Sequence, residues 1–488
     1  MNSTPAPAIA RSTLVTAFVL VAGGLAAVFD STIMSVALNT LSTELNSPVS
    51  TIQWVVTGYL LALAIAIPVV GWAQARFGGK RVWMIALTLF LLASIACSFA
   101  WDAPSLIAFR VAQGLSGGLM MPLMATLAIQ QVPQGAALGK LMALISLPMA
   151  LGPILGPTIG GLLLNSFGWR SLFWLNIPLC LIGLALAWKF IPNDAPTSRA
   201  RLDWIGLLLV SPGLLGILLG LSNVGEEGGV SRFDSWAPLL GGTLLLALFV
   251  WWQARRAQHP LVDIRLFTRR SVGSASIVMA LSSVAVYGGM LLLPLFFQSV
   301  RGADALAAGL LLIPQGIGAL LSRPLAGRLT DTIGPRAVAM GGFVVLSIAT
   351  IPFAFADAST STLWLMLVLL IRGFGMGAVM IPVMAVAYVG LAKDEIPHAS
   401  ILTRLTQQLG GAFGTALLAV ILTSAISGAE SLTALADGFT VAFWWATGLT
   451  AAAVFICLAL PRSSLPATIT PPVASALDDV EAAEVSQR

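Results

Sequence analysis

Charge is what this sequence has least of. Asp, Glu, Lys and Arg together make up 9% of its 488 residues, against about 25% in a soluble chain. So few polar groups cannot coat a soluble particle, which excludes a soluble enzyme, a DNA-binding protein and a disordered scaffold. Cysteine and histidine are nearly absent too, at 3 and 2 residues. Cys97, Cys180 and Cys457 lie in apolar runs without CxxC spacing, the pattern of small core packers rather than of ligands or disulfides. His259 and His398 alone cannot build a metal site. There is no GxSxG element and no nucleophilic triad. Gly135-Ala-Ala-Leu-Gly-Lys-Leu141 falls one residue short of a phosphate loop and ends in Leu rather than Ser or Thr, so ATP hydrolysis is not expected. The net charge of +5 comes from 21 Arg and 4 Lys spread thinly, with no basic stripe for nucleic acid. No cofactor is expected.

Hydrophobic residues are abundant instead, at 58%, with a mean hydropathy of +0.94. A membrane-spanning helix needs about 20 mostly apolar residues. Fourteen runs qualify, at about 14–38, 52–72, 82–101, 104–129, 136–164, 171–191, 204–223, 236–254, 271–298, 306–326, 337–356, 361–389, 399–426 and 438–460. The first is too long for a cleaved signal peptide and is interrupted by Asp30, so it is expected to remain as a helix. Lys and Arg are retained on the cytoplasmic side. With the N-terminus inside, eighteen basic residues fall in cytoplasmic segments, three in outer loops and four within runs. That asymmetry predicts both termini inside an inner cell membrane. A tail after Arg462 with Pro466, Pro471, Pro472 and four acids reads as disordered.

An internal repeat organises the runs. Pro68-Val-Val-Gly71 with Gly78 and Lys80 recurs 256 residues later as Pro324-Leu-Ala-Gly327 with Gly334 and Arg336. Gly152 and Gly156 recur 258 residues later as Gly410 and Gly414. The first run therefore matches the ninth, and the expected plan is an all-α polytopic membrane protein arranged six plus two plus six. Its segments are a cytoplasmic N-terminus (1–13), a six-helix half (14–191), a two-helix insertion with cytoplasmic linkers (192–270), a second six-helix half (271–460) and the cytoplasmic tail (461–488). Parallel halves with a midplane site between them are a transporter plan.

Four stretches carry a resemblance. They are Phe29-Asp-Ser-Thr-Ile-Met-Ser-Val-Ala-Leu38, Gly71-Trp-Ala-Gln-Ala-Arg-Phe-Gly-Gly-Lys-Arg81, Arg110-Val-Ala-Gln-Gly114 and Gly152-Pro-Ile-Leu-Gly-Pro-Thr-Ile-Gly-Gly161. Together with Gly168-Trp-Arg-Ser-Leu-Phe-Trp-Leu-Asn-Ile-Pro178, they make the chain resemble the major facilitator superfamily, in its fourteen-helix drug:proton antiporter branch. The resemblance spans nearly the whole chain. It implies the major facilitator fold, export of drugs by alternating access, coupling to protons at an acid in the first helix, and a part for the fourth-helix Arg in proton transfer. Gly152, Pro153, Gly156, Pro157, Gly160 and Gly161 match the antiporter motif GxxxGPxxGG at every specified position. The loop pattern GxLxDxxGxR is matched less well. Gly71, Arg76, Gly78, Lys80 and Arg81 are present, but Ala75 stands where the family has an acid, while the second copy keeps Gly327, Asp331, Gly334 and Arg336. In the family that acid is thought to latch the outward-facing closure, so the latch is expected on one side only.

Each stretch also has a physical reading. Asp30 is the one carboxylate well inside any of the fourteen runs, and an acid at the bilayer centre costs about 2.5–3.5 kcal/mol on insertion scales, which marks it as functional by default. Arg110 is its natural partner. Counted at about 1.5 Å per residue from the outer ends of their runs, the two share a level. Withdrawal from water works against the carboxylate charge and a nearby guanidinium works for it, which suits a group that takes and releases a proton. The glycines of the fifth run clear one helix face for close approach and its prolines bend it. Met34, Tyr59, Gln113, Tyr287, Gln315 and Arg372 serve either helix-to-helix contacts or the lining of a cavity. Arg404, Gln407 and Gln408 have the same two readings, and Arg404, near the inner end of its run, has a third, snorkelling to the interface.

The sequence reading is thus a proton-coupled antiporter, expected as a monomer in the lipid bilayer, exporting small lipophilic substrates that include monovalent cations. A dedicated exporter of one metabolite or self-made antibiotic fits the same motifs. A membrane sensor or channel without active transport is the alternative from another class.

Overall fold

The computed structural model describes residues 11–34, 37–132, 138–194, 196, 201–224, 229–256, 260–303, 305–427 and 431–462. His259, most of the acidic tail, the first residues of the N-terminal segment and part of the near-miss phosphate loop lie outside them. Among the described residues the chain is helical with no strand, as lipid demands of a backbone that must satisfy its own hydrogen bonds.

The long helices in chain order are α1 (Arg11–Ile33), α2 (Thr51–Phe77), α3 (Gly79–Ser98), α4 (Ala103–Ile129), α5 (Leu147–Phe167), α6 (Ser171–Phe190), α7 (Trp204–Val224), α8 (Phe233–Arg255), α9 (Arg270–Ser299), α10 (Ala307–Thr332), α11 (Pro335–Phe355), α12 (Thr362–Val386), α13 (Ile396–Ile426) and α14 (Leu432–Ala459). Among the described residues thirteen are long and apolar enough to cross a membrane, and α5, with 21 residues, stands where the fifth run is expected. The exterior is apolar, with Leu162, Leu208, Leu244, Ile348 and Leu363 all well exposed, which suits hydrocarbon rather than water.

The helix ends follow local chemistry. Asp102 and Ser105 form a reciprocal capping box at the start of α4. Gly78 and Gly334, with φ of +85° and +95°, turn the chain between α2 and α3 and between α10 and α11, a conformation only glycine adopts freely. Three runs differ from expectation, and proline explains two of them. The fifth run is two helices, Gly139–Ile145 and Leu147–Phe167, because Pro148 lacks the N–H that would continue the first. Pro68 likewise interrupts α2 with a tighter turn at Ile67–Val69. The first run ends early, at Ile33, and Leu38–Glu44 is a separate short helix.

Packing repeats in the two halves of the sequence. α4 lies against α2 and α3, and α1 against α5 and α6; α12 lies against α10 and α11, and α9 against α13 and α14. α7 and α8 pack chiefly on each other, and α7 also touches α2 and α13. Trp252 Nε1 and Gln253 Nε2 both donate to Asp203, at 3.1 and 2.8 Å, fastening the start of α7 to the end of α8. Thr13 bonds the carbonyl of Gln131 and the Arg462 carbonyl abuts Gly334, so both described ends of the chain lie at the end of the bundle where the α4–α5 and α10–α11 connections meet.

Candidate functional site

Asp30, in α1, is the buried carboxylate of this bundle, 3% exposed, and the Arg110 it pairs with in α4 is 0% exposed. No other acid among the described residues is buried. One helical turn beyond Arg110 on the same face of α4, Gln113 donates to Asp30 Oδ1 at 3.0 Å and accepts from Arg110 at 2.7 Å. Asn176, near the start of α6, gives Asp30 Oδ1 a further bond at 2.9 Å and reaches Ser94 of α3 at 2.9 Å. Arg110 Nε also donates to the Val55 carbonyl at 3.0 Å, and its guanidinium lies 4.2 Å from the Tyr59 ring centre. Tyr59 is fixed in turn by a bond to the Ala27 carbonyl at 3.2 Å. Asp30 therefore accepts from three side chains on two helices, an arrangement made for an ionised, acceptor-only carboxylate. Protonation turns one of its acceptor positions into a donor and removes the partner of Arg110.

Sequence reasoning overlooked Asn176 and Ser94. Asn176 had a usable signal, since it is an amide inside an apolar run by the same criterion that singled out Gln113. Ser94 had none, because a serine satisfies itself against its own helix and is unremarkable in a span.

Among the described residues the second half has no equivalent buried acid. Arg372 of α12, 3% exposed, donates to Gln315 at 2.7 Å, to Thr350 at 3.3 Å and to the Ala285 carbonyl at 3.4 Å. No described carboxylate pairs with it. Met34 packs in the apolar cluster with Ile33 and Ala37, and Tyr287 lies against Gly411. Of its three readings, Arg404 takes cavity lining. It lines a partly open cavity of about 50 Å³ with Met121, Met124, Met279, Met384 and Tyr388. Gln407, one turn along α13, accepts its bond at 2.5 Å, and that local partner holds the guanidinium inward. A cavity of this size holds water rather than a drug-sized ligand, which takes about 300 Å³ or more.

The glycine motif of α5 bears directly on the acid. Side chains built at Gly152 and Gly156 would collide with Val28 and Thr32, the α1 residues two positions either side of Asp30. The second half repeats the contact, with Gly410 and Gly414 of α13 against Ala280 and Val284 of α9. The halves close at the end where the chain's described ends lie. Gly139 meets the Gly327 carbonyl and donates its N–H to Asp331 at 3.0 Å. Arg323, 4% exposed, donates to the Ser146 carbonyl, and Ser400 donates to the Pro122 carbonyl at 3.0 Å.

This combination of paired helix sets, a buried acid and close glycine contacts accompanies a clear match to known proteins. The family model described as Major Facilitator Superfamily matches residues 20–415. The chain belongs to the major facilitator superfamily. It is 38% identical over 411 residues to a multidrug resistance protein B homolog of Mycobacterium tuberculosis, covering 84% of this chain and 76% of that one. It is 31% identical over 407 residues to the lincomycin resistance protein LmrB of Bacillus subtilis, covering 83% and 84%. Among solved structures, the proton:xylose symporter XylE superposes with a TM-score of 0.65 at 17% identity, covering 94% and 98%. The human organic anion transporter MFSD10 does so at 0.64 and 16%, covering 92% and 100%. These two share the fold. The protein is a multi-pass membrane protein of a transporter superfamily.

Within the superfamily pattern, the loop lacking its acid at Ala75 is held in another way. Gln74, the neighbouring residue, donates to Gln130 at 2.7 Å, and Gln130 donates across the halves to the Lys393 carbonyl at 3.0 Å. Asp194, beyond α6, accepts from the backbone N–H of Gly79 and of Lys80 and caps α3 within its own half. Lys80 Nζ bonds the Trp188 carbonyl at 2.8 Å, Gly71 rests against Ile401, and Arg81 is exposed. In the second loop Arg336 holds the Leu460 carbonyl. Across the interface the second loop thus contributes Asp331, and the first a neutral amide chain from Gln74 through Gln130.

Proposed function

We propose that this protein exports lipophilic, drug-like small molecules from the cytoplasm in exchange for protons, with Asp30 as the proton-carrying group. The observation that carries the reading is the buried Asp30, tied to Arg110, Gln113 and Asn176, on the segment of α1 against which the α5 glycines press. The names of the resistance proteins it resembles support drugs as the cargo class. Proton entry to Asp30 dissolves its pair with Arg110, whose remaining contacts are Gln113, the Val55 carbonyl and the Tyr59 and Phe173 rings. The tie between α1 and α4 then loosens, α1 moves together with α5, and the interface at Asp331 and Arg323 opens. Exchange results because proton and substrate do not occupy the site together. A monovalent cation competes with the proton for the single carboxylate, whereas a dication lacks a second one. The proton gradient drives the cycle and no cofactor takes part. The arrangement is six helices, a two-helix insertion and six helices, in the inner cell membrane, with both termini cytoplasmic as the basic residues indicate.

The test is Asp30→Asn in proteoliposomes. The amide matches the carboxylate in shape and removes the titration, so proton-driven dye export is lost; its NH2 cannot accept from Arg110, so the variant stays folded at reduced stability, checked by thermal unfolding. Undiminished export by this variant under a proton gradient refutes the proposal.

A further inference from the structure

Three arginines converge where α9, α11 and α14 end together. Arg270, Arg336 and Arg462, with Leu458 and Pro461, line an open pocket of about 470 Å³. Two of them are held in place by the end of α14: Arg270 Nε donates to the Ala459 carbonyl at 3.3 Å, and Arg336 donates to the Leu460 carbonyl through Nε at 2.8 Å and Nη2 at 2.5 Å. A guanidinium has five N–H donors, so both keep most of theirs for a ligand. α9 begins at Arg270 and α11 at Pro335, so two helix N-termini add their positive ends to the same spot. Ion pairs among the described residues include Arg110 with Asp30, Arg232 with Asp234 and Arg269 with Glu395; no described carboxylate pairs with the three arginines of the pocket. An anionic partner for them is therefore available only from outside the described residues. The surroundings are apolar, since Leu458 and the nearby Phe455 of α14 are 48% and 73% exposed on a surface that faces hydrocarbon.

We propose that this pocket binds the phosphate headgroup of an anionic phospholipid, with an acyl chain lying along Leu458 and Phe455. A soluble anion satisfies the arginines but leaves that apolar wall unused, whereas a phospholipid answers both. The site is separate from Asp30 and does not depend on proton coupling.

Native mass spectrometry of the full-length protein tests it, with phosphatidylglycerol, phosphatidylcholine and inorganic phosphate as probes. Phosphatidylglycerol is expected to bind about tenfold more tightly than phosphatidylcholine, and the Arg270→Gln/Arg462→Gln variant to lose about that factor. This double variant leaves both Arg336 bonds to Leu460 intact, so folding is retained and is checked by circular dichroism. Arg255→Gln/Arg256→Gln, with the same change of charge at the end of α8, is expected to keep the preference. Equal loss in the two variants, or no preference for the anionic lipid, overturns the proposal. Full displacement of phosphatidylglycerol by millimolar inorganic phosphate also overturns it, by making the pocket a soluble-anion site.

Discussion

Two glycines of one motif make opposite predictions. Gly156 and Gly161 both belong to the GxxxGPxxGG stretch of α5, yet a Cβ at Gly156 would lie 2.8 Å from Thr32 Cβ and closer still to its hydroxyl, while one at Gly161 meets nothing within 4 Å. Carbon atoms in contact prefer about 3.5–4.0 Å, so Gly156→Ala must push α5 and α1 apart by about 1 Å beside Asp30. Overpacking of this kind costs about 1–3 kcal/mol. Gly161→Ala carries no clash and gains helix propensity of up to about 1 kcal/mol. The pair is measured by unfolding in detergent, followed through the 14 Trp, and by proton-driven export in proteoliposomes. Gly156→Ala should lower both stability and transport, and Gly161→Ala neither. Removing the obstacle with Thr32→Gly should recover part of the Gly156→Ala loss, as a coupling of about 1–2 kcal/mol in a double-mutant cycle. The reasoning fails if the two alanine variants behave alike, or if Thr32→Gly adds to the damage without relieving it.

Asn176→Leu withdraws one donor from a buried carboxylate and should cost about 1.5–3 kcal/mol of stability, read by the same unfolding assay, with a fall in export; an unchanged protein would remove Asn176 from the site. Asp331→Ala deletes the charged contact across the halves and should alter accessibility at the closed end, measured by labelling of cysteines introduced near Gly139. Asp194→Ala, which uncaps α3 inside one half, should cost about 1 kcal/mol while leaving that labelling unchanged. Dye export by Arg372→Gln, which loses a cation with no described acid partner, should keep its dependence on the proton gradient, whereas Arg110→Gln should lose it.

Much of the fold was legible because lipid imposes simple rules. Apolar runs long enough to span gave helices at nearly the expected places, and the 256–258-residue repeat reappears as equivalent packing of Gly152 on α1 and Gly410 on α9. Helix ends were less legible where Pro68 and Pro148 broke continuous apolar runs. The Asp30–Arg110 pairing was readable from depth alone, since only a few charges lie inside the runs. Ser94 was missed because hydrogen-bond partners on separate helices share no sequence spacing, Asn176 was passed over although an amide in an apolar run is a signal, and the readings of Arg404 stayed open because snorkelling and facing a cavity look the same in one dimension.

By itself the sequence determined that this chain lives in lipid, that it repeats, and that one acid is placed where an acid is costly. Hydropathy and charge suffice for that, because they set the free energy of each segment in the bilayer. Which glycine of the motif touches the acid's helix, which amide completes the carboxylate's shell, and which loop copy carries the charge across the halves were decided by the tertiary structure. These depend on helix rotation and approach, which are fixed by packing between segments far apart in the chain.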